Sequence, residues 1–562
     1  MSKHMPPQMV HVLDGAEALA VGEAEGAGKG DASEQAVSGV KRKRPSDAAS
    51  SAAAADATVC AHEPQSLPRA AVITRSSWGA LPLEVVCLIT DALGPHALPL
   101  VSRELLFLCD LLPTLSICGP LSAAAAAALN AVLCRGSRMC NVRQLRLENC
   151  AVTGELLAMA VRMAPQLSTL DLSSNSIDEA GASVVAEVMR HVPQLTRLVL
   201  SENDISEAGA CAVAEALRYV PQLTQLDLSC NSIGDAGAQA VAEALRHVPH
   251  LTNLALSGTD VGDAGARAVA AALCHVPHLM KLDLSCNIFS DAGASAVAKA
   301  LRHVPLLTQL YLPYNSIGEA GARAVAAALC HVPQLTDLDL SYTSVGDVGA
   351  CVVAAALYHV PQLTHLDLRN NGIGDASARA LAEALRHMPQ LTQLALCTNS
   401  IGEEGARLVA EALCHVPHLT QLYLGGNSIG EAGARAVAAA LCHVPQLTDL
   451  DLSYTSVGDV GACVVAAALC RVPQLTNLDL GLTRIGEAGA RAVADALRHV
   501  PHLKRLVLGS NSIGDAGARA VAEALRHAPQ LTLLDLRENN IGDAGKAGVL
   551  AAAPRTCTTL YL

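Results

Sequence analysis

Residues 223–250 read LTQLDLSCNSIGDAGAQAVAEALRHVPH, and this 28-residue unit recurs through most of the 562-residue chain. Its first leucine returns without insertion at positions 167, 195, 223, 251, 279, 307, 335, 363, 391, 419, 447, 475, 503 and 531. Fourteen in-phase copies at a fixed period predict a solenoid, in which each unit packs only against its neighbours. Irregular copies flank them at 112–141, 142–166 and 557–562.

The first part of each unit has the alternation of a strand. When a unit is numbered from its first leucine, positions 4 and 6 carry apolar residues such as Leu226 and Leu228. Successive side chains of a strand point to opposite faces, so these two leucines should face the core together. Position 9 is usually asparagine, as at Asn231. Its side chain can bond backbone groups where the chain leaves the strand, and its equivalents would form a ladder.

The second part of each unit has the spacing of an amphipathic helix. Asp235 is a candidate N-cap of this helix, and Pro249 ends the helical segment. The apolar positions at i, i+3, i+4 and i+7 are Ala238, Val241, Ala242 and Leu245. They predict one buried helix face. Its small alanines allow the helix and the strand to approach closely.

Together these features predict an α/β fold, a curved solenoid or horseshoe. Parallel strands about 4.8 Å apart beside wider helices force a curve that puts the sheet on the concave face and the helices on the convex face. The motif LxxLxLxxNxI resembles the leucine-rich repeat family, in its ribonuclease-inhibitor-like class with long repeats. The resemblance covers residues 112–562.

Composition excludes several classes of protein. The chain has 39 basic and 52 acidic residues and a formal charge of −13, which argues against broad recognition of nucleic-acid phosphates. Neither a signal-peptide core nor a long run of bulky apolar residues is evident, so secretion and membrane spanning are not expected. Nineteen cysteines are too dilute for a disulfide scaffold and indicate reduced thiols. The expected location is the cytoplasm, the nucleus or both.

No arrangement of residues predicts catalysis, a cofactor or a metal. The segment 22–30, GEAEGAGKG, departs from a phosphate-binding loop because its first glycine is one residue too far away and Gly30 replaces the hydroxyl residue. Adjacent units place Cys414, His415, Cys442 and His443 at equivalent positions, which is the best metal alternative. Histidines recur at this position in eleven copies. A role at helix C-termini explains them better than ligation does.

The informative variation lies at positions 3, 5, 7 and 8, which should face the concave side. Tyrosine is an effective interface anchor, and rows of acids attract basic partners. We therefore predict a surface that binds a basic protein, made of two groups of residues. The first group comprises Tyr311, Tyr314, Asp337, Asp339, Tyr342 and Asp367. The second comprises Tyr423, Asp449, Asp451, Tyr454 and Asp479.

Two observations weigh against a simple interpretation of these groups. Aspartate stands at position 5 in eight of the fourteen copies, so it is also explained as a default residue of the repeat. The segments 335–362 and 447–474 are nearly identical and 112 residues apart, which indicates a copied block of four repeats. The second group is therefore not independent evidence for binding.

The N-terminal region divides in two. Residues 1–76 are rich in Ala, Gly, Ser and Pro and are expected to be disordered. Within them, Lys41, Arg42, Lys43 and Arg44 resemble a short nuclear-import signal. Residues 77–111 have helical apolar spacing and contain LPLEV, followed by VSR. This segment resembles an F-box, although its spacer is short and Leu105 stands where Trp is common. A simple helical cap over the first repeat is the alternative.

The F-box resemblance implies a Skp-type adaptor as partner and a role as substrate receptor of an SCF-type ubiquitin ligase. The residues that would face the adaptor are Leu81, Pro82, Val85, Ile89 and Leu93. The leading hypothesis is thus a non-enzymatic interaction protein. Its alternatives are a regulator of a small GTPase resembling Ran GTPase-activating proteins, which a GTP hydrolysis assay would reveal, and an inhibitor resembling the ribonuclease inhibitor.

Overall fold

The computed structural model describes residues 114–118, 142–150 and 154–562, which all belong to one compact unit. The expected disordered tail at 1–76, the basic run from Lys41 to Arg44 and the segment 77–111 lie outside the described residues. The F-box-like residues Leu81, Pro82, Val85, Ile89 and Leu93 lie in that last segment, so their role stays a prediction.

A parallel sheet runs the length of the described part, with each of its seventeen strands paired to the next in chain order. The first two strands have five residues and the others three. The strands, β1 to β17, are Thr114–Cys118, Gln144–Glu148, Thr169–Asp171, Arg197–Val199, Gln225–Asp227, Asn253–Ala255, Lys281–Asp283, Gln309–Tyr311, Asp337–Asp339, His365–Asp367, Gln393–Ala395, Gln421–Tyr423, Asp449–Asp451, Asn477–Asp479, Arg505–Val507, Leu533–Asp535 and Thr559–Tyr561.

One α-helix follows each strand from β2 to β16, and most helices end in a single 3₁₀ turn. No helix in the described ranges is long and apolar enough to cross a membrane. The helices, α1 to α15, are Gly154–Met163, Glu179–Met189, Glu207–Ala216, Gly234–Ala244, Asp263–Ala272, Asp291–Ala300, Gly318–Ala328, Gly346–Ala356, Asp375–Leu385, Glu403–Ala412, Gly430–Ala440, Gly458–Ala468, Glu487–Ala496, Gly514–Ala524 and Asp543–Ala552.

The core lies between the sheet and the helices and is made of the residues that the periodicity predicts. Leu226 and Leu228 are fully buried, while Gln225 and Asp227 on the same strand are partly exposed. The predicted helix face is buried too, with Ala238, Val241 and Leu245 at 0% exposure. Neighbouring strands lie closer together than neighbouring helices pack, so the array curves with the sheet inside. The prediction of a curved α/β solenoid is confirmed.

The asparagine ladder is confirmed as well. Asn231 is buried, and its Nδ2 donates to the carbonyls of Leu228 at 2.9 Å and of Leu200, in the preceding repeat, at 2.9 Å. Its Oδ1 accepts the amide of Ile205 at 3.0 Å. One side chain thus satisfies backbone groups of two repeats, which fixes the distance between them. A second ladder, which was not predicted from the sequence, joins the residues at position 2 of consecutive repeats. In it, Thr224 Oγ1 donates to the Thr196 carbonyl at 2.9 Å.

Threonine replaces the ladder asparagine in four repeats, and we expect looser turns there. Asn511 Oδ1 accepts the Ile485 amide at 2.9 Å, whereas the equivalent amides of Ile429 and Val457 face Thr455 and Thr483. The threonine hydroxyl is a donor to its own strand, as at Thr483 Oγ1 to the Leu480 carbonyl at 2.6 Å. Amide hydrogen exchange should therefore be on the order of tenfold faster at Ile429 and Val457 than at Ile485. Equal rates would contradict this explanation.

The predicted role of Asp235 as N-cap of its own helix is wrong. Helix α4 begins at Gly234, and its N-cap residue Ile233 makes no side-chain capping bond. The Asp235 carboxylate instead accepts the amides of Gly262 at 2.8 Å and Gly265 at 2.7 Å, at the start of the next helix. The aspartate therefore caps its neighbour and joins consecutive repeats on the helix side of the solenoid.

Removal of this cap between repeats should lower the stability of the protein by a measurable amount. Asp235→Ala should lower the free energy of unfolding by about 1–2 kcal/mol, because two amides at the helix start lose their acceptor. Glu207→Ala is the matched control, since Glu207 has the same position one repeat earlier and makes no such bond within the described residues. Denaturant titration should show a clearly smaller loss for that control. Equal losses would mean that each carboxylate acts only on its own helix.

Candidate functional site

The structure brings the predicted residues together in the two groups expected, on the face of the sheet opposite the buried leucines. Tyr311 pairs in register with Asp339, which pairs with Asp367. Four strands further along, Tyr423 pairs with Asp451, which pairs with Asp479. The first cluster is Tyr311, Tyr314, Asp337, Asp339, Tyr342 and Asp367. The second cluster is Tyr423, Asp449, Asp451, Tyr454 and Asp479.

The tyrosines of both clusters remain accessible on this face. The rings of Tyr314 and Tyr342 stack with their centroids 4.3 Å apart and their planes 11° from parallel. Tyr311 and Tyr423 are partly exposed, and Tyr454 is 56% exposed. None of the five rings belongs to the hydrophobic core. They are therefore available to a partner, and packing of the solenoid does not require them.

The aspartates at position 5 have a structural task that partly explains their recurrence. In each case the carboxylate accepts the backbone amide of the residue two positions on, where the chain leaves the strand. Examples are Asp339 with the Ser341 amide at 2.8 Å and Asp451 with the Ser453 amide at 2.9 Å. The same bond is made by Asp171, Asp227, Asp283, Asp367, Asp479 and Asp535. Aspartate alone at this position therefore does not identify a binding site.

Two of these acids are held in settings that disfavour their charge. Burial raises the pKa of Asp339 to about 6, with the neighbouring Asp367 carboxylate as the second cause of this shift. Burial likewise raises the pKa of Asp479 to about 6; the Gly481 amide opposes this shift and Asp451 adds to it. Both acids belong to adjacent pairs of carboxylates on the sheet, where like charges repel. Carboxyl groups whose pKa is raised in this way are typical of functional surfaces.

Neutralising Asp339 should stabilise the protein at neutral pH. A raised carboxyl pKa means that the folded state binds more protons than the unfolded state between the two pKa values, so stability falls as pH rises from about 4 to about 6. Asp339→Asn keeps an acceptor for the Ser341 amide and should raise the free energy of unfolding at pH 7 by about 1–3 kcal/mol. The gain should vanish near pH 4.

The matched control for this variant is Asp227→Asn. Its strand neighbours are Val199 and Ala255, which carry no charge, so no comparable gain is expected. Denaturation of both variants across this pH range is the measurement. A destabilised Asp339→Asn protein at pH 7 would refute the interpretation that the paired carboxylates oppose folding.

Sequence reasoning missed the basic side chains in and around the first cluster. His365 Nδ1 lies 3.2 Å from Asp337 Oδ1, and Arg369 Nε donates to the two Asp367 oxygens at 3.0 and 2.8 Å. Lys281 Nζ lies 3.7 Å from Asp283 Oδ2 and 4.9 Å from the centroid of the Tyr311 ring. These three residues occupy positions 3 and 7 of their repeats, so inspection of those columns could have found them. Of the carboxylates of the first cluster, Asp367 is paired with an arginine, whereas the ion pair of Asp337 with His365 forms only when the histidine is protonated.

The second cluster keeps more of its negative charge. Asn477 stands where the first cluster has His365, and it donates a hydrogen bond to Asp449. Gly425 and Gly426 stand where the first cluster has Pro313 and Tyr314. The Asp451 carboxylate extends over Gly425 toward the Cys397 thiol, which lies 3.6 Å from its Oδ2. The nearest arginine contact is at 4.0 Å, between Arg505 and Asp479.

The metal alternative gains no support from the geometry. Within the described ranges, no three His, Cys, Asp or Glu side chains converge in a way that could hold a metal ion. Cys414 and Cys442 are exposed, and each thiol donates to a carbonyl of its own helix, at 3.3 and 3.2 Å.

Comparison with known families identifies the repeats. A family model described as Leucine Rich repeat matches residues 221–242, 247–270, 275–298, 361–382, 415–438, 499–522 and 527–545. The predicted leucine-rich repeats are therefore confirmed, while the ribonuclease-inhibitor-like class and the F-box stay predictions. The comparison with curated proteins finds no match.

Solved structures resemble the chain only distantly. An internalin from Listeria monocytogenes is 18% identical over 66% of this chain and 82% of its own, with a TM-score of 0.42. A leucine-rich repeat protein from Leptospira interrogans is 16% identical over 82% and 92%, with a TM-score of 0.43. The ectodomain of a receptor kinase from Arabidopsis thaliana, in complex with Casparian strip integrity factor 2, is 16% identical over 80% and 63%, with a TM-score of 0.41. Scores of this size support no inference about a partner.

Proposed function

Because this chain is built of leucine-rich repeats, we propose that it is a non-enzymatic scaffold that binds another protein along the inner face of its sheet. The binding face extends from β8 to β14 and includes both clusters. The observation that carries this proposal is the stacked pair Tyr314 and Tyr342 beside the paired carboxylates of Asp339 and Asp367. Neither the stack nor the charge pair is needed by the core.

The chemistry of the face favours a basic partner. Accessible aromatic rings supply contact area at small entropic cost, and carboxylates attract cationic side chains over distance. The second cluster is the more acidic, since Asn477 and Gly481 replace the His365 and Arg369 of the first. We expect the first cluster to contribute mainly aromatic contact and the second mainly charge. Binding should therefore weaken as salt concentration rises.

The test is affinity purification with the intact chain, followed by mass spectrometry, in parallel with a double variant of the face. Asp449→Asn with Asp451→Asn removes two charges from the second cluster and keeps an acceptor at each position. A partner should be recovered with the natural chain, be rich in Lys and Arg, and be lost with the variant. Recovery of the same partners by both proteins would refute the proposed face.

The F-box resemblance of residues 77–111 supports a narrower proposal, in which the scaffold presents its bound protein to a ubiquitin ligase. It rests on LPLEV and the apolar spacing that follows. A Skp-type adaptor should co-purify with the natural chain and be lost in Leu81→Asp and in Ile89→Asp. If no adaptor is recovered with the natural chain, the segment is not a functional F-box.

A further inference from the structure

The copied block provides a comparison within one chain. Strands β7 to β9 correspond to β11 to β13, 112 residues later. Tyr311 and Tyr423 are equivalent, and their setting is nearly the same. Burial raises the pKa of each phenol to about 12, with the nearby carboxylate of Asp337 or Asp449 as the next cause. The carboxylates that follow on the next strand, Asp339 and Asp451, are also equivalent.

In the first copy, a lysine of the chain itself lies over the tyrosine ring. The ammonium group of Lys281 lies 4.9 Å from the centroid of the Tyr311 ring and 3.7 Å from the Asp283 carboxylate. A cation above an aromatic face is attracted by the ring quadrupole, and an adjacent carboxylate adds to this attraction. The first copy therefore shows that a tyrosine at this position, with a carboxylate on the preceding strand, accepts an ammonium group.

In the second copy, both residues that supply and hold this cation are replaced. Gln393 stands for Lys281, and Ala395 stands for Asp283. The cation–ring contacts of the described part of the chain involve Tyr219, Tyr311 and Tyr561, and none involves Tyr423.

The residues that follow the Tyr423 strand are smaller than those that follow the Tyr311 strand. They are Gly425 and Gly426, where the first copy has the bulkier Pro313 and Tyr314. The Asp451 carboxylate leans over Gly425, where an added Cβ would lie 2.7 Å from its Oδ2. It therefore stands on the same side of the strand as the Tyr423 ring and faces no arginine or lysine ion pair in the described residues.

We propose that Tyr423, Asp449 and Asp451 form a binding site for a lysine side chain of the protein partner, equivalent to the site that Lys281 fills at Tyr311. This inference rests on the proposed function and makes it more specific. The partner places an ammonium group against the Tyr423 ring, and the two carboxylates balance its charge. The site recognises an ammonium group, so any protein with an exposed, lysine-rich segment could supply the ligand.

The test uses the intact chain and a fluorescent peptide made only of lysines, with binding followed by anisotropy at neutral pH. Gln393→Lys supplies the second copy with its own lysine and should weaken peptide binding at least about tenfold, by competition for the ring. Asn253→Lys is the matched control, because it adds the same charge at position 3 of its repeat, on β6 and away from Tyr423. It should change binding by less than about twofold.

Two further variants make the test independent of any single substitution. Tyr423→Leu keeps an apolar side chain and should also weaken binding about tenfold. Lys281→Gln frees the equivalent site at Tyr311 and should strengthen binding at least about threefold. Unchanged binding in Gln393→Lys and Tyr423→Leu, or no binding by the natural chain, would overturn the lysine site. The scaffold function is judged separately by recovery of the partner, so the two failures are distinguishable.

Discussion

Asn511→Ala is expected to lower the free energy of unfolding by about 3–5 kcal/mol. The Asn511 side chain accepts the amides of Thr483 at 3.0 Å and Ile485 at 2.9 Å, and it donates to the carbonyl of Leu508 at 3.0 Å. All of these groups are buried. In the variant the two amides have no other acceptor among the described residues, whereas the Leu508 carbonyl keeps the bond from Asn539 Nδ2 at 2.8 Å. A buried backbone group without a partner costs about 1–3 kcal/mol, so the two amides account for the expected loss.

The loss should be local as well as large, because a solenoid repeat contacts only its neighbours. Hydrogen exchange should accelerate between residues 480 and 515 and remain unchanged near Asn231. Thr483→Ala is the matched comparison, since it removes only the hydroxyl contacts of Thr483 Oγ1, to the Leu480 carbonyl at 2.6 Å and to Asn511 Oδ1 at 3.4 Å. It should cost about 1–2 kcal/mol. Equal losses in the two variants would show that the asparagine ladder does not hold the repeats together in the way described.

The second large effect concerns binding. Tyr314→Ser combined with Tyr342→Ser should weaken partner affinity by about 2–4 kcal/mol, because both rings of the stacked pair, the main aromatic contact of the first cluster, are removed from the proposed face. The stability of the protein should change little, since neither ring lies in the core. Titration calorimetry with the recovered partner measures the first quantity, and denaturation measures the second.

Tyr358→Ser is the control for this double variant. Tyr358 is 55% exposed but lies in the 3₁₀ turn Leu357–His359, outside the strand face. Its replacement should leave affinity unchanged. If Tyr358→Ser weakened binding as strongly as the double variant does, the partner would dock on the helix side, and the strand face would not be the binding surface.

The repeat period predicted the fold, because each contact that defines it recurs at a fixed offset. Leu226 and Leu228 had to point the same way, and Asn231 had to meet backbone groups at the strand exit. Asp235 was misassigned because its partners, Gly262 and Gly265, belong to the next repeat. In a single repeat considered alone, the amides of its own helix are the only capping partners that can be assigned to an aspartate. Bonds between units became visible only when the register of stacking was known.

The location of the candidate site on the sheet was predicted, but its charge balance and hydrogen bonding were not. The tyrosines and acids lie on one face because their positions in the repeat require it. The charge balance was not predicted, because Lys281, His365 and Arg369 depart from the repeat consensus, and the pairing of a long side chain depends on its rotamer. The backbone bond of Asp339 was also missed, because it depends on the turn after the strand.

The central claim is that a protein partner docks on the inner face of the sheet, across β8 to β14. Hydrogen–deuterium exchange of the intact chain, with and without the partner recovered by affinity purification, tests it most directly. The account predicts slower exchange on binding in the strand exits around Tyr314, Tyr342, Gly426 and Tyr454, with no change in helices α7 to α12. Protection confined to those helices, with the strand exits unaffected, would contradict it.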